Sequence, residues 1–197
     1  MDGKAKLQVK DLITLGVLNA VFIVIFSVIG IVLGMFPVTY LIMPAIVAVP
    51  LGVVFMLLLT KVAKTGTFLI SGILQGAVLL ILGVYWPVVT AVVSAALLGE
   101  FIVQGKYSRF KRIAAGYAVF ICGYSLGSFA PLVFFAEAYR AMAVSRGYDA
   151  GYINKLIELL NGPVLLGILV MSALGALLGA LLGKRIMSKH FAKAGIV

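Results

Sequence analysis

The sequence has very few of the residues that build disulfides, metal centres or catalytic sites. Its 197 residues include one cysteine and one histidine. A single cysteine, Cys122, cannot form an internal disulfide, so a disulfide scaffold is excluded. With His190 as the only histidine and with no HExxH, CxxC or P-loop motif, the chain offers no His and Cys metal centre and no site for ATP hydrolysis. We therefore predict that the protein is not an enzyme, with no catalytic residues, no metal and no cofactor.

Charged residues are also scarce, and their scarcity indicates a membrane protein. They make up 11% of the chain against 63% apolar residues, and the mean hydropathy is +1.21. A soluble globule of this size could not keep so much apolar surface from water. Six apolar stretches match the length needed to cross a hydrocarbon core about 30 Å thick. The sequence predicts an all-α integral membrane protein, a single six-helix domain over 1–197, with helices at about 11–33, 38–60, 67–84, 88–104, 113–136 and 163–187.

The placement of the basic residues predicts the orientation of these helices. All but three of the 16 lysines and arginines fall in segments that six crossings would put on one side of the membrane, whereas the connections at 34–38 and 84–87 hold no charge. This is the positive-inside pattern of a multi-pass membrane protein with both termini in the cytoplasm. Anionic headgroups account for the net charge of +10, so we expect no nucleic-acid partner. The basic set is Lys4, Lys6, Lys10, Lys61, Lys64, Lys106, Arg109, Lys111, Arg112, Lys184, Arg185, Lys189 and Lys193.

Three local features modify the simple spanning pattern. Pro44 and Pro50 predict a kink or a break in the second helix. No acidic residue falls near the middle of a span, which argues against ion-coupled transport by this chain alone. Glu100, about one turn from the inner end of helix 4, is expected to pair with Lys106 or a nearby arginine.

The segment between helices 5 and 6, residues 137–162, carries three charges of each sign, unlike the basic inner connections. Within it Ile153, Leu156, Ile157 and Leu160 follow the i, i+3, i+4, i+7 spacing of an amphipathic helix. Such a helix can lie against the outer surface of the bundle. Long structured loops are often functional, so this one is expected to cover a binding site.

Small residues recur every four positions in two helices, and such tracks let a second helix approach closely in lipid. Helix 6 carries Gly175, Gly179 and Gly183, for which packing inside the bundle is the favoured interpretation. Helix 1 carries Gly16 and Ala20 in its cytoplasmic half. There a partner's helix could reach them, so these two are the candidate docking residues.

Six helices, basic inner loops, the Gly16 and Ala20 pair and a structured segment before helix 6 together resemble an S component of an energy-coupling factor (ECF) transporter. In that family the S component captures a vitamin, a vitamin precursor or a metal ion from outside, and a transmembrane T component with two ATPases drives its uptake. The resemblance covers the organisation of the whole chain and implies a location in the bacterial inner or plasma membrane. Its helix 1 motif is commonly Ala-xxx-Ala, so Gly16 is a conservative departure. The start Met1-Asp2-Gly3-Lys4 lacks the histidine expected of a nickel or cobalt S component.

The resemblance implies a substrate site in the outer half, under the outer connections, and the chain has suitable groups there. Aromatic faces with a few polar atoms suit a small planar or amphipathic ligand. Each residue also has a simpler explanation: an interfacial aromatic belt for the Tyr and Trp residues near the ends, serine hydroxyls bonded to their own helix, and an N-cap for Asn161. The candidate substrate-binding residues are Tyr40, Tyr85, Trp86, Tyr124, Ser125, Ser128 and Asn161.

The sequence is also compatible with a channel or an exporter. A small homo-oligomeric membrane channel or exporter would use the glycine track of helix 6 for self-association and would work without an ATPase partner. The sequence leaves the identity of the solute open in either case.

Overall fold

The computed structural model describes residues 7–188, and these form eight α-helices with short connections. The described residues do not include Lys4, Lys6, Lys189, Lys193 or His190. The helices are α1 (Val9–Gly34), α2 (Pro37–Lys61), α3 (Thr67–Ile81), α4 (Trp86–Val103), α5 (Phe110–Phe134), α6 (Ala136–Ser145), α7 (Ala150–Leu159) and α8 (Gly162–Ile186).

Five of these helices, α1, α2, α4, α5 and α8, are long and apolar enough to cross a membrane. The third predicted span is shorter than expected, because α3 ends at Ile81 and the chain turns at Gly83, where φ is +75°. Its 15 residues extend for about 22 Å, less than the thickness of a typical hydrocarbon core. The structure therefore supports an all-α membrane protein with at least five helices of spanning length.

Prolines set where several helices begin. Pro37, Pro87 and Pro163 stand in the first turns of α2, α4 and α8, where a missing N–H costs no helical hydrogen bond. Pro44 and Pro50 instead lie inside α2, which runs continuously from Pro37 to Lys61. The predicted break in this helix is therefore absent.

The six longest helices close into a ring in the order α1, α2, α8, α5, α4, α3, with α3 returning to α1. Aromatic side chains from four of these helices fill the centre of the ring. Phe55 of α2 contacts Phe68 of α3 and both Tyr117 and Phe120 of α5, with ring centroids 5.1–5.2 Å apart. Phe22 of α1 packs on Phe55 at 5.9 Å. The middle of the bundle is therefore a packed core.

The glycine track of α8 packs against α2, as the sequence analysis favoured. A Cβ added at Gly175 would lie 2.2 Å from the Ala45 carbonyl oxygen, and one at Gly179 would lie 2.4 Å from that of Ala48. At Gly183 it would meet the Met56 side chain at 2.9 Å. Because these glycines already hold α2 and α8 together, the track is buried inside the bundle and offers no surface for a second copy.

The two ends of the bundle differ in chemistry. The basic end carries Lys10, Lys61, Lys64, Lys106, Arg109, Lys111, Arg112, Lys184 and Arg185. The aromatic end carries Phe36, Tyr85, Trp86, Phe134 and Phe135, together with the short helices α6 and α7. The predicted amphipathic helix is confirmed as α7, which buries Ile153 and Leu156, with Leu160 buried just beyond its end. α6 was not predicted.

Candidate functional site

A cleft opens at the aromatic end, between the start of α4, the last turns of α5 and the start of α6. Its volume is about 360 Å³, and its lining is almost entirely apolar. Tyr85 and Trp86 stand at its edge, and the Tyr85 ring also packs edge-on against Tyr139 of α6 at 5.7 Å. The cleft is lined by Tyr85, Trp86, Pro87, Ala91, Leu126, Gly127, Ala130, Pro131, Phe135 and Ala138.

Helices α6 and α7 are tied across the aromatic end by side-chain hydrogen bonds. An Nη1 donor of Arg146, which follows α6, reaches the Gly83 carbonyl in the turn between α3 and α4. The Tyr152 hydroxyl of α7 donates to the Gly34 carbonyl at the end of α1, at 2.7 Å. The segment therefore bridges the connections between α1 and α2 and between α3 and α4.

Beneath α6 and α7 lies a second apolar cluster, separate from the central core. Tyr40 of α2 packs edge-on against Phe129 of α5 at 5.1 Å, and its hydroxyl interacts with the Ser128 side chain. Burial is the main reason that the pKa of Tyr139 is raised to about 12. The cluster comprises Phe129, Leu132, Leu156, Leu160, Leu165 and Ile168, with Tyr40, Tyr139 and Tyr152 packed against it.

A chain of buried polar side chains crosses the middle of the bundle from α1 to α5. The Asn19 Nδ2 donates to the Ser71 hydroxyl at 3.1 Å and to the Leu15 carbonyl at 2.8 Å. Asn19 Oδ1 accepts from Nε2 of Gln75 at 2.6 Å, and Gln75 Oε1 accepts from the Tyr124 hydroxyl. All four of these side chains are at most 4% exposed. We name Asn19, Ser71, Gln75 and Tyr124 the polar chain.

Two other candidate residues are satisfied by neighbouring helices or by their own. The Ser125 hydroxyl lies 2.8 Å from that of Ser172 on α8 and donates to the Ile121 carbonyl one turn earlier at 3.2 Å. Asn161 caps α8, since its side chain accepts from the Val164 N–H at 2.9 Å. Ser125 therefore bonds to its own helix and Asn161 acts as an N-cap, as the simpler explanations of these two residues predicted.

The structure brings the seven candidate substrate-binding residues together only in part. Tyr85 and Trp86 line the cleft, while Tyr40 and Ser128 lie in the cluster beneath α6 and α7. Tyr124 belongs to the polar chain, Ser125 joins α5 to α8, and Asn161 is exposed at the start of α8. Sequence reasoning missed Asn19 and Gln75, although an amide inside a long apolar run is itself a signal.

The two candidate docking residues face outward from α1. Gly16 and Ala20 are both exposed, and a Cβ added at Gly16 would meet nothing within 4 Å. Among the residues of α1, those that are buried form one narrow stripe on the side facing the bundle, namely Asp11, Leu15, Asn19 and Phe22. The small residues therefore form a shallow strip on a largely uncovered helix.

Acidic groups at the basic end hold connections in place. Asp11 Oδ2 accepts from Lys64 Nζ at 2.6 Å and from the Gln8 N–H at 2.7 Å. The expected partner of Glu100 was wrong: its carboxylate accepts from the Phe68 N–H at 3.1 Å and from the Tyr107 hydroxyl at 2.8 Å. Phe68 lies in the first turn of α3, where free N–H groups attract a carboxylate, and Tyr107 lies in the connection that follows α4. Burial and the nearby Glu100 charge raise the pKa of Tyr107.

Within residues 7–188, no three His, Cys, Asp or Glu side chains lie together as a metal site would require.

A family model described as "Hypothetical bacterial integral membrane protein (Trep_Strep)" matches residues 9–193, nearly the whole chain. The comparison with curated proteins finds no match, and neither does the comparison with solved structures.

Proposed function

The chain belongs to the Trep_Strep family of hypothetical bacterial integral membrane proteins. We propose that it is the substrate-binding S component of an ECF-type importer. In this role it crosses the membrane six times, with the basic end in the cytoplasm. It captures a small solute such as a vitamin or related micronutrient from outside. A T component and two ATPases supply the energy, so the chain itself needs no catalytic residue or cofactor.

The basic end supports the orientation. Its lysines and arginines lie where α1 begins, where α2 meets α3, where α4 meets α5 and where α8 ends, and the aromatic end has neutral turns at 35–36 and 82–85. For six crossings the short α3 must also span. Its 15 residues do so with the turn at 82–85 and with local thinning of the bilayer, which costs fractions of a kcal/mol per Å.

The observation that carries the proposal is the contrast between the two small-residue tracks. The track on α8 is buried against α2, whereas Gly16 and Ala20 on α1 are exposed. An exposed strip of small residues in a spanning helix is the surface that a second transmembrane helix needs for close approach. A helix of the T component is the occupant that the resemblance implies. The buried α8 track removes the surface on which a homo-oligomeric channel or exporter would have depended.

The cleft and its cover support the second half of the role, which is solute capture. Aromatic side chains with a neutral surrounding suit a small ligand with a planar or apolar body. The segment formed by α6 and α7 spans two other connections at the same end, through Arg146 and Tyr152. We assign this segment as the cover that opens to admit the solute and closes over it. Tyr40 and Ser128 would then line the space uncovered when it moves.

Co-purification tests the proposal. The tagged chain is expressed with the T component and both ATPases of its host, extracted in mild detergent, and analysed for stoichiometric partners and bound small molecules. One T component and two ATPase subunits are expected to elute with the chain. A chain that elutes alone or with copies of itself, while the ATPase module assembles without it, would overturn the proposal.

A further inference from the structure

Helix α1 buries few of its residues completely against the rest of the bundle, although several of its apolar side chains are partly buried against the core. Over its 26 residues, the buried ones are Asp11, Leu15, Asn19 and Phe22, and two of these four are polar. Each polar residue is bonded toward α3: Asp11 pairs with Lys64 in the connection before α3, and Asn19 bonds to Ser71 on α3 itself. Gln75, one turn further along α3, donates to Asn19 as well.

In lipid these few hydrogen bonds contribute strongly to the rotational position of α1. Apolar side chains of α1 gain little by facing the bundle rather than acyl chains, because both surroundings are apolar. Ordinary apolar contacts therefore hold the rotation of α1 about its own axis only weakly. The Asn19 amide, in contrast, would keep only its bond to the Leu15 carbonyl of its own helix if it turned away from α3. Its bonds to Ser71 and Gln75 have no replacement in the hydrocarbon, so they favour one rotation strongly.

The rotation matters because of where the small residues lie. Each helical residue advances by about 100°, so Gly16 and Ala20 lie roughly a third of a turn from the stripe that contains Leu15 and Asn19. A rotation that turned Asn19 away from α3 would carry the small residues with it. The strip would then face a different direction.

The same contacts connect α1 with the aromatic end. Tyr124, which donates to Gln75, also packs on Phe26 and Phe22 of α1, with ring centroids at 5.1 and 6.3 Å. Tyr124 lies in α5, five residues before Phe129, whose ring contacts Tyr40 beneath α6 and α7. A shift of α5 at the aromatic end therefore acts on a hydrogen bond that positions α1.

We propose that Asn19 is a positioning residue: through Gln75 and Tyr124, the polar chain fixes the rotation of α1 and so couples occupancy of the aromatic end to the presentation of Gly16 and Ala20. This inference rests on the proposed function for the meaning of that presentation. The positioning itself is a property of the isolated chain and can be measured without any partner.

Distances between two spin labels test the positioning. In a Cys122→Ala background, labels are placed at Val21→Cys on α1 and Ile73→Cys on α3, positions that are 41% and 50% exposed. The parent chain in lipid nanodiscs is expected to give one narrow distance distribution. Asn19→Leu removes the bonds to Ser71 and Gln75 and keeps the side-chain size, so the displaced population is expected to rise about tenfold, as two membrane hydrogen bonds warrant.

Three further variants make the result specific. The exchange variant Asn19→Gln with Gln75→Asn keeps both amides and is expected to restore the narrow distribution. Ser125→Ala removes a buried polar contact between α5 and α8 that does not involve α1, and is expected to leave the distribution narrow. If Asn19→Leu fails to fold, Tyr124→Phe removes only the last bond of the chain and is expected to broaden the distribution by a smaller amount.

A second measurement separates this inference from the proposed function. T-component recovery with Asn19→Leu is expected to fall by the same factor as the correctly rotated population. An unchanged distance distribution in Asn19→Leu, or equal broadening in Ser125→Ala, would overturn the positioning role. Failure of the unmodified chain to recover any T component, with the distance results as expected, would overturn the proposed function and the coupling to it, while the positioning of α1 by the polar chain would stand.

Discussion

Gln75 Nε2 donates to Asn19 Oδ1 at 2.6 Å, joining two helices through residues 56 positions apart in the sequence. Both side chains are almost fully buried, at 0% and 2% exposed. A hydrogen bond between two amides in the middle of an apolar bundle satisfies groups that neither water nor lipid could reach. The polar chain thus favours one relative arrangement of α1, α3 and α5.

Replacing Gln75 with leucine is predicted to destabilise the isolated chain. The change leaves Asn19 Oδ1 and the Tyr124 hydroxyl without their partner, which is expected to cost about 1–2 kcal/mol. Thermal unfolding in detergent measures the loss. Thr90→Val is the control, because the Thr90 hydroxyl is exposed and bonds only to carbonyls of its own helix, at Trp86 and Pro87. Equal stability of the two variants would contradict the role given to the polar chain.

Adding one methyl group to the α8 track is predicted to be costly. In Gly179→Ala the new Cβ would lie 2.4 Å from the Ala48 carbonyl oxygen, so α2 and α8 must separate, at about 1–3 kcal/mol. Gly167→Ala on the same helix meets nothing within 4 Å and should be neutral or slightly stabilising. Thermal unfolding again compares the pair. A Gly179→Ala protein as stable as Gly167→Ala would show that the two helices are less closely packed than described.

The proposed orientation of the bundle predicts opposite labelling at two exposed serines. In a Cys122→Ala background, Ser145→Cys at the aromatic end should react with a membrane-impermeant maleimide on intact cells. Ser108→Cys at the basic end should react only after the membrane is opened. Both side chains are exposed, so access decides the result. Labelling of both positions from outside would contradict six crossings, since it would place the two ends on the same side.

Trp86 provides an optical measure of the cleft because it is the only tryptophan in the chain. Titration of the purified protein with individual water-soluble vitamins is predicted to change its emission saturably for the solute that binds. Ala130→Phe fills the cleft and should abolish that change. Ala115→Phe, an exposed position on the same helix, should leave it intact. A saturable response that survives Ala130→Phe would place the solute elsewhere.

Much of the bundle could be predicted from composition and from a few marked positions. Prolines and basic residues set helix ends to within about three residues at most boundaries, since proline has a fixed place in a first helical turn and charge cannot stay in hydrocarbon. α7 could be predicted because its apolar residues follow helical spacing. α6 was not predicted, because Ala136–Ser145 is rich in alanine and carries Glu137 and Arg140 among its apolar residues.

The contacts between helices could not be predicted, and the candidate site depends on them. Tyr124 was chosen as a ligand group, but its hydroxyl is bonded to Gln75, a residue on a helix 49 positions earlier. Glu100 was matched to nearby cations, but the ring order places it beside Phe68 at the start of α3. Sequence spacing describes which residues share a helix face. It does not describe which face of another helix they meet.

The most direct test of the account compares two glycines on α1 that both have open space around them. Gly16→Leu fills the proposed docking strip, while Gly30→Leu adds the same side chain near the other end of the helix, and neither new Cβ meets anything within 4 Å. Each variant is co-expressed with the T component and both ATPases, and the T component that elutes with the tagged chain is quantified. Near-complete loss of the T component is expected for Gly16→Leu and recovery like the parent for Gly30→Leu, with equal thermal stability of the two isolated chains. Equal recovery of the T component with both variants would contradict the account.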